Sequence, residues 1–202
     1  MRIMSNLLQD GYNIIDGYRL QQDIKCSEYF KRYLSIVNPK RILELGTANG
    51  GLTGILRKLT DCPILTVEQN EEIIDPRTYK IAEVQIGDFF NSLFIHTTIS
   101  PFINLPGRTL VLCDAFNKAY QYRKFVRLIK PNDVIAVHDY FPSVEYFKEN
   151  IEGKRWNWCD ITDKDMQAVN EEFEMVDIGS EINYIFWASK IKKGSQKLVS
   201  LV

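Results

Sequence analysis

The sequence lacks the features that would direct it to a membrane, a secretory pathway or nucleic acid. None of its apolar runs reaches the roughly 20 residues that a bilayer-crossing helix needs, and Met1 to Ser5 do not resemble a secretory signal. Its 25 basic and 26 acidic side chains give a net charge of -1, without the basic surplus that phosphate backbones select. We therefore expect a cytoplasmic protein with no membrane partner, and nucleic acid is not the expected partner.

Cysteine and histidine are scarce, with four cysteines and two histidines in the whole chain. The cysteines lie far apart and include no C-x-x-C pair, so the pattern indicates neither a disulfide framework nor a zinc site. The dipeptide His138-Asp139 invites comparison with His-Asp phosphohydrolases. Two histidines are too few for the metal site of such an enzyme.

What is present suits one α/β domain spanning residues 1–202. The chain is 45% hydrophobic and 25% charged, which is typical of a globular protein with a real core. Apolar, strand-like runs alternate with helical patterns, and this order predicts a mostly parallel sheet with helices on both faces. The predicted strands are Arg41–Leu45, 64–67, 81–86, Thr109–Cys113 and Val134–Val137, and the predicted helices are 21–37, 52–59 and 119–129.

The segments before the first and after the fifth predicted strand depart from this alternation. Residues 1–38 are predicted to form an N-terminal helical extension, and residues 142–170 an insertion that contains two tryptophans. The insertion can be a lid over the site, or a packing or oligomer element, and the aromatic-rich appendages are compatible with a homodimer. Residues 173–178 and 184–188 are separated by a short turn and predict a C-terminal antiparallel hairpin.

The turn after the first predicted strand is the most informative segment. Glu44, Gly46 and Gly50 have the spacing Glu-x-Gly-x-x-x-Gly, which differs from the Gly-x-Gly-x-x-Gly of dinucleotide enzymes. Glycine has no Cβ and tolerates positive φ, so the backbone there can approach a bound anion at the start of a helix. The alternative interpretation is a plain connection between a strand and a helix. The segment resembles the first motif of class I S-adenosylmethionine (SAM) methyltransferases.

That resemblance implies a set of cofactor contacts. Glu44 would organise the turn, while Gly46, Thr47, Asn49 and Gly50 would surround the methionine end of SAM. It also implies the Rossmann-like fold of that class, in which a mostly parallel sheet ends in an antiparallel hairpin.

Two further strand ends supply the remaining contacts with SAM. Glu68 ends the second predicted strand, where a carboxylate can accept both ribose hydroxyls. After the third strand, the resemblance implies that Asp88 accepts from the adenine amine and that Phe89 packs on the adenine ring. Glu68 can instead be a solvated acid, and Asp88 can instead cap a helix.

Acidic side chains also follow the fourth and fifth strands, where Asp114 and then His138-Asp139 end the apolar runs. Ends of neighbouring parallel strands meet in one crevice. Carboxylates there can hold Mg²⁺ or Mn²⁺, which would activate a substrate hydroxyl. His138 can be a metal ligand, a general base or a structural histidine. Lys118 can be a base if it is desolvated, or a solvated lysine at a helix start.

With Asp114 and the segment from Val137 to Tyr140, the resemblance narrows to one branch of the family. That branch includes methyltransferases labelled cephalosporin hydroxylase, metal-dependent sugar and macrolide O-methyltransferases, and the catechol type. It implies that Asp114, which also borders the cofactor, binds a metal together with Asp139, and that His138 stands where relatives often carry an acid. The expected reaction is SAM-dependent O-methylation of a small hydroxylated acceptor, such as a sugar or natural product.

Two alternatives on the same fold stay open at this point. One is a nucleic-acid or protein methyltransferase, although the sequence after the fourth strand, Asp114-Ala115-Phe116-Asn117, lacks the Asp/Asn-Pro-Pro-Tyr/Phe signature of DNA amino-methylating enzymes. The other is a non-catalytic module that binds SAM, because binding and chemistry are separable properties of a site.

Overall fold

The structure is a computed structural model that describes residues 13–155 and 157–194, and its centre is a seven-stranded sheet. In chain order the strands are β1 Asn13–Ile15, β2 Tyr18–Leu20, β3 Arg41–Leu45, β4 Ile64–Glu68, β5 Glu83–Ile86, β6 Thr109–Cys113, β7 Val134–Val137, β8 Tyr140–Phe141, β9 Ile161–Thr162, β10 Met175–Asp177 and β11 Ala188–Lys192. The α-helices are α1 Cys26–Val37, α2 Gly51–Leu59, α3 Ser92–Phe94, α4 Ser100–Asn104, α5 Lys118–Val126, α6 Val144–Asn150 and α7 Asp163–Glu172. A π-helical turn, Ile95–Ile99, joins α3 to α4, and the 3-10 helices are Glu71–Ile73, Pro76–Lys80 and Ser180–Ile185.

The strand order in the main sheet is β10-β11-β7-β6-β3-β4-β5. Strands β3 to β7 are mutually parallel, whereas β11 is antiparallel to both of its neighbours. The chain builds outward from β3 to β5 and then returns to the other side of β3 to form β6. The carboxyl ends of β3 and β6 therefore border a topological switch point, where open α/β sheets bind ligands.

Both faces of the sheet are covered, which explains why the central strands are apolar throughout. One face packs against α1, α2 and the 3-10 helix Ser180–Ile185. The other packs against α5, α7 and the helical segment 95–104. All residues of β3, β6 and β7 are buried, as expected for strands with no solvent-facing side.

The predicted α/β class with a mostly parallel sheet is confirmed. Strands β3, β6 and β7 have the predicted bounds, and β4 and β5 differ from prediction only at one end. Helix α1 begins at Cys26 instead of residue 21, so Gln22 lies in a loop before it. This shift matters because the loop reaches the candidate site.

The antiparallel pair predicted near the C-terminus is also confirmed, but its bounds and connection differ from the prediction. The pair is β10 with β11, in which Val176 lies opposite Ile191, and no tight turn joins the two strands. Residues 180–185, which include the start of the predicted second strand, form a 3-10 helix instead. Ile182 and Ile185 are three residues apart and both are buried against α1, so this spacing belongs to a helical turn.

The described part of the predicted N-terminal extension is only partly helical. Residues 1–12 lie outside the described residues, and β1 and β2 form a hairpin before α1. The segment 142–170 contains α6, β9 and most of α7. Met166 and Val169 of α7 are buried in the core that covers the sheet, so this part of the segment is a covering helix. Within the described ranges no helix is long and apolar enough to cross a membrane.

Candidate active site

Glu44 lies beneath the turn that follows β3 and has no solvent exposure. Its Oε2 accepts a hydrogen bond of 2.5 Å from Oγ1 of Thr53 on α2. Its Oε1 has no partner among the described residues. Burial raises the pKa of Glu44 to about 8, against the opposing effect of the hydrogen bond from Thr53. Glu44 is therefore protonated at neutral pH and ties the turn to the helix.

The glycines of the turn are required by the packing of the chain on itself. Gly46 has φ +101°, and a Cβ there would lie 2.7 Å from the carbonyl oxygen of Asp114. Gly50 has φ +78°, and a Cβ there would overlap Thr78. The spacing of the turn predicts that both glycines allow the backbone to approach the cofactor. The structure adds a second reason for glycine, which is close contact with the backbone that follows β6 and with the helix Pro76–Lys80.

Thr47 and Asn49 brace the same turn from its two sides. The Thr47 hydroxyl lies 2.6 Å from the Thr66 hydroxyl on β4. The Asn49 amide donates a hydrogen bond of 2.6 Å to the carbonyl of Ile73. Both side chains therefore hold the turn against β4 and the loop that follows it.

Glu68 joins the ends of β3 and β4. Its Oε2 accepts from the backbone N–H of Ala48 at 2.8 Å, and its Oε1 accepts from the N–H of Gln69, also at 2.8 Å. Oε1 also accepts from the backbone N–H of Asn70 at 3.3 Å, so the second lone pair of Oε2 is the one that can still accept from a ribose hydroxyl. The structure places Glu68 beside the glycine turn, and its contact with a ribose stays a prediction.

Asp88 and Phe89 lie in different environments, because one is exposed and the other is buried. Asp88 is exposed, and its Oδ1 accepts from the Gln69 amide at 3.0 Å and from the backbone N–H of Phe90 at 2.7 Å. Phe89 is only 2% exposed and packs in the core, so its ring is not available to stack on an adenine at the surface. Phe90 is half-buried against Tyr120, with ring centroids 4.8 Å apart, and its ring lies nearer the surface.

Beyond β6 and β7, the buried His138 pairs with Asp114, which is only partly exposed. Asp114 Oδ1 lies 2.9 Å from Nδ1 of His138, and Asp114 Oδ2 accepts from the Gln22 amide at 2.5 Å. The indole N–H of Trp187 donates to Oε1 of Gln22 at 2.9 Å. Because an indole N–H only donates, this bond orients the Gln22 amide so that its NH₂ group faces Asp114. The Trp187 ring also lies against the His138 ring, with centroids 4.9 Å apart.

Lys118 forms a second charged group beside this pair, together with the buried Asp139 and the partly exposed Asp160. The Lys118 ammonium lies 2.8 Å from Asp139 Oδ2 and 3.0 Å from Asp160 Oδ2. Asp139 Oδ1 lies 3.5 Å from Nδ1 of His138, and Asp139 also accepts a hydrogen bond from the Trp158 side chain. Asp139 has φ +55°, a left-handed conformation that turns the chain sharply after β7.

The charged groups of this cluster shift one another's pKa toward the charged form. Burial lowers the pKa of Lys118, but Asp114, Asp139 and Asp160 outweigh it and hold that pKa above its usual range. Burial likewise lowers the pKa of His138, but the charges of Asp139 and Asp114 outweigh it and hold that pKa above its usual value. For Asp139, burial raises the pKa, and His138 and Lys118 bring it below its usual value. Lys118 therefore keeps its proton at neutral pH, and the predicted general-base role does not fit it.

The donors in this cluster do not fit a divalent metal ion. No group of three or more His, Cys, Asp or Glu side chains in residues 13–155 and 157–194 is arranged to hold one. Both oxygens of Asp114 meet side-chain donors, and Asp139 is bound by the ammonium of Lys118. A divalent ion about 4 Å from that ammonium would face a repulsion of about 8 kcal/mol at an effective dielectric constant of 20. The predicted Mg²⁺ or Mn²⁺ site at Asp114, His138 and Asp139 has no such ligand set here.

Sequence reasoning missed three members of the cluster. Gln22 and Trp187 are joined by a hydrogen bond in the fold but lie 165 residues apart in the chain. Asp160 lies in the segment 142–170, which carried no interpretable motif. The lysine at the start of α5 is a sequence signal for nearby acidic side chains, because a cation at a helix N-terminus is unfavourable unless acids surround it.

The strand order and the polar carboxyl edge define the class I methyltransferase fold. No protein-family model matches the sequence, and no curated protein matches it. Among solved structures, an apo structure of CmcI has a TM-score of 0.65 at 14% identity and aligns 91% of this chain with 77% of that one. CmcI in complex with S-adenosylhomocysteine (SAH) has a TM-score of 0.62 at 14% identity, covering 93% and 86%. An O-methyltransferase from Bacillus cereus in complex with SAH has a TM-score of 0.51 at 15% identity, covering 84% and 82%. At these identities the similarity shows the fold.

Proposed function

We propose that this chain is a SAM-dependent O-methyltransferase that acts on a hydroxyl group of a small molecule. One observation carries the proposal: a single edge of the sheet presents two polar groups side by side. The glycine turn with Glu68 and Asp88 lies at the ends of β3 to β5, and the Asp114–His138–Asp139 cluster lies at the ends of β6 and β7. The first group suits an adenosyl donor and the second suits an acceptor.

The donor half of the edge offers one partner for each part of SAM. Backbone groups around Gly46 and Gly50, with the start of α2, would hold the methionine carboxylate. Glu68 would accept from the ribose hydroxyls, and Asp88 from the adenine amine. Asp114 reaches the boundary of this half, because its backbone packs directly on Gly46. The structures of CmcI and of the B. cereus O-methyltransferase that contain SAH support this placement by fold.

The acceptor half offers a base for the hydroxyl proton. Asp114 Oδ1 is an acceptor facing Nδ1 of His138, so we assign the imidazole proton to Nδ1 and the lone pair to Nε2. In the proposed step, the acceptor oxygen attacks the sulfonium methyl and its proton passes to Nε2 of His138. The carbon–sulfur bond breaks with its electron pair on sulfur, which leaves neutral SAH and a methyl ether.

The finer properties of the protein follow from the same proposal. A formal net charge of -1 favours a small acceptor over nucleic acid. The four cysteines are free thiols, which suits a reducing compartment such as the cytoplasm. Exposed aromatic side chains such as Phe116 and Trp158 are compatible with either an acceptor wall or a homodimer contact.

Calorimetric titration with SAH tests the proposal. We expect wild-type protein to bind SAH, and Glu68→Gln to bind it about 10-fold more weakly, because an amide replaces a charged acceptor of ribose hydroxyls. Glu83→Gln is the matched control, since Glu83 is an exposed acid on neighbouring β5. Absence of SAH binding by the folded wild-type protein would reject the proposal.

The alternatives on this fold are separated by following the methyl group. Labelled SAM is incubated with wild-type protein and either a panel of phenols, sugars and hydroxy acids or nucleic acid and protein fractions. Label in the hydroxyl panel supports the proposal, and label in nucleic acid or protein replaces it with the macromolecular alternative. SAH binding without transfer to any of these acceptors favours a binding module.

A further inference from the structure

Lys118 has an unusual location for a lysine. It is the first residue of α5, where the helix dipole disfavours a cation. Its side chain is only 12% exposed, although lysines are rarely buried unless they are paired. Both penalties are offset by two carboxylates from separate parts of the chain, Asp139 after β7 and Asp160 before β9. The fold therefore brings three elements together around one ammonium group.

This ammonium lies where the sequence predicts a divalent ion, next to Asp139 and beyond the end of β6. Asp139 and Asp160 surround it with two carboxylates, and the neighbouring Asp114 is bound by Gln22 and His138. A primary ammonium has three hydrogens, and two of them are directed to Asp139 and Asp160. One hydrogen is left for an oxygen atom of a bound molecule.

We propose that the ammonium of Lys118, held by Asp139 and Asp160, binds the acceptor oxygen in place of a metal ion, so that methyl transfer needs no divalent cation. The inference rests on the proposed methyltransferase function. In it, Lys118 stabilises negative charge as the acceptor oxygen loses its proton to His138, and Asp160 is a positioning residue that aims the ammonium. A preorganised cation can serve in this way without changing its own protonation.

The first test measures metal binding and needs no acceptor. Wild-type protein is stripped with EDTA and titrated with Mn²⁺, which is followed by the loss of the free-ion electron paramagnetic resonance signal. We expect no stoichiometric binding at millimolar Mn²⁺, with or without SAH. We expect Lys118→Met to acquire an Mn²⁺ site, because Asp139 and Asp160 lose their cation, and Lys31→Met, at an exposed lysine of α1, to acquire none.

The second test uses any acceptor that the hydroxyl panel identifies. We expect wild-type turnover to be equal in EDTA and in Mg²⁺, and Lys118→Met to lower kcat by about 100-fold with SAH affinity unchanged. Asp160→Asn is expected to lower kcat by about 10-fold, and Asp160→Glu to recover part of it, which a purely structural role would not produce. Thermal melting confirms that each variant is folded.

The two proposals fail separately in these experiments. Two results would overturn the metal-free site: stoichiometric Mn²⁺ binding to wild-type protein that Asp139→Asn abolishes, or turnover that EDTA abolishes. If SAH still binds, the proposed methyltransferase function stands in either case. Lack of SAH binding rejects the methyltransferase itself, whatever the result with Mn²⁺.

Discussion

The two halves of the carboxyl edge hold their acidic side chains in different ways. In the donor half, Glu44 and Glu68 are bound by a hydroxyl and by backbone N–H groups no more than 20 residues away. In the acceptor half, Asp114 is bound by Gln22 across 92 residues, and Gln22 by Trp187 across 165. The donor half is therefore built by local turns, whereas the acceptor half balances charge with remote side chains. Loss of one side chain is therefore expected to destabilise the acceptor half more than the donor half.

Removal of Asp139 is the largest expected change. Asp139→Ala leaves Lys118 with the partly exposed Asp160 and His138 with Asp114 as remaining counter-charges, and we expect the free energy of unfolding to fall by about 3–5 kcal/mol. Asp177→Ala is the control, because Asp177 is 74% exposed and its pair with Lys190 is expected to contribute less than about 1 kcal/mol. Urea denaturation of both variants measures the free energies of unfolding. Equal losses in the two variants would contradict the expected importance of Asp139.

The donor half should be sensitive to backbone shape instead of charge. Gly46→Ala places a Cβ against the backbone of Asp114 at positive φ, and we expect a loss of about 3 kcal/mol. Gly153→Ala is the matched control, since Gly153 also has positive φ but a Cβ there meets nothing within 4 Å. That variant should lose only about 1 kcal/mol in the same urea experiment. A similar loss in the two variants would show that contact with Asp114 is unimportant.

A neutral remote contact should have an intermediate effect. Gln22→Leu leaves the Trp187 indole and one oxygen of Asp114 without a partner, and we expect a loss of about 1–3 kcal/mol. SAH affinity should change little, because Gln22 reaches the donor half only through Asp114. Gln167→Leu, on the exposed side of α7, is expected to stay within about 0.5 kcal/mol of wild type. Calorimetric melting gives the stabilities, and a large loss of SAH affinity in Gln22→Leu would erase the distinction between the halves.

The smallest effect concerns the pH dependence of stability. The folded pKa of Glu44 is about 8, above its unfolded value, so the unfolded chain loses this proton first as pH rises. Its contribution is therefore fully present below the unfolded pKa and is lost as pH rises through about 8. Glu44→Gln should reduce the fall in stability between pH 5 and pH 8 by at least about 1 kcal/mol. The exposed control Glu83→Gln should keep the wild-type dependence.

Much of the donor half could be predicted because its signals are contiguous. The strand β3, the spacing from Glu44 to Gly50 and the acid at the end of β4 lie in one stretch of sequence. Phe89 shows the limit of this reasoning, since two adjacent phenylalanines follow Asp88. Only packing against the core decides which ring is buried.

The acceptor half shows why charge states resist prediction from sequence. The sequence predicts His138, Asp139 and Lys118 as site residues. Their protonation depends on burial and on side chains from distant segments, namely Asp160, Gln22 and Trp187. A metal ion and an ammonium group both satisfy two carboxylates at strand ends. The sequence pattern alone therefore favoured the metal, and the position of the Lys118 side chain reversed that interpretation.

The amino-acid sequence by itself determined the parallel core and the location of its polar edge. Continuous apolar runs such as Val134–Val137 can be satisfied only by burial on both faces, and the residues that end these runs must then share one crevice. Tertiary structure alone decided what those residues are able to do. The energy of a buried charge depends on which partners lie within a few ångströms, and the partners here are joined only when the whole chain is folded.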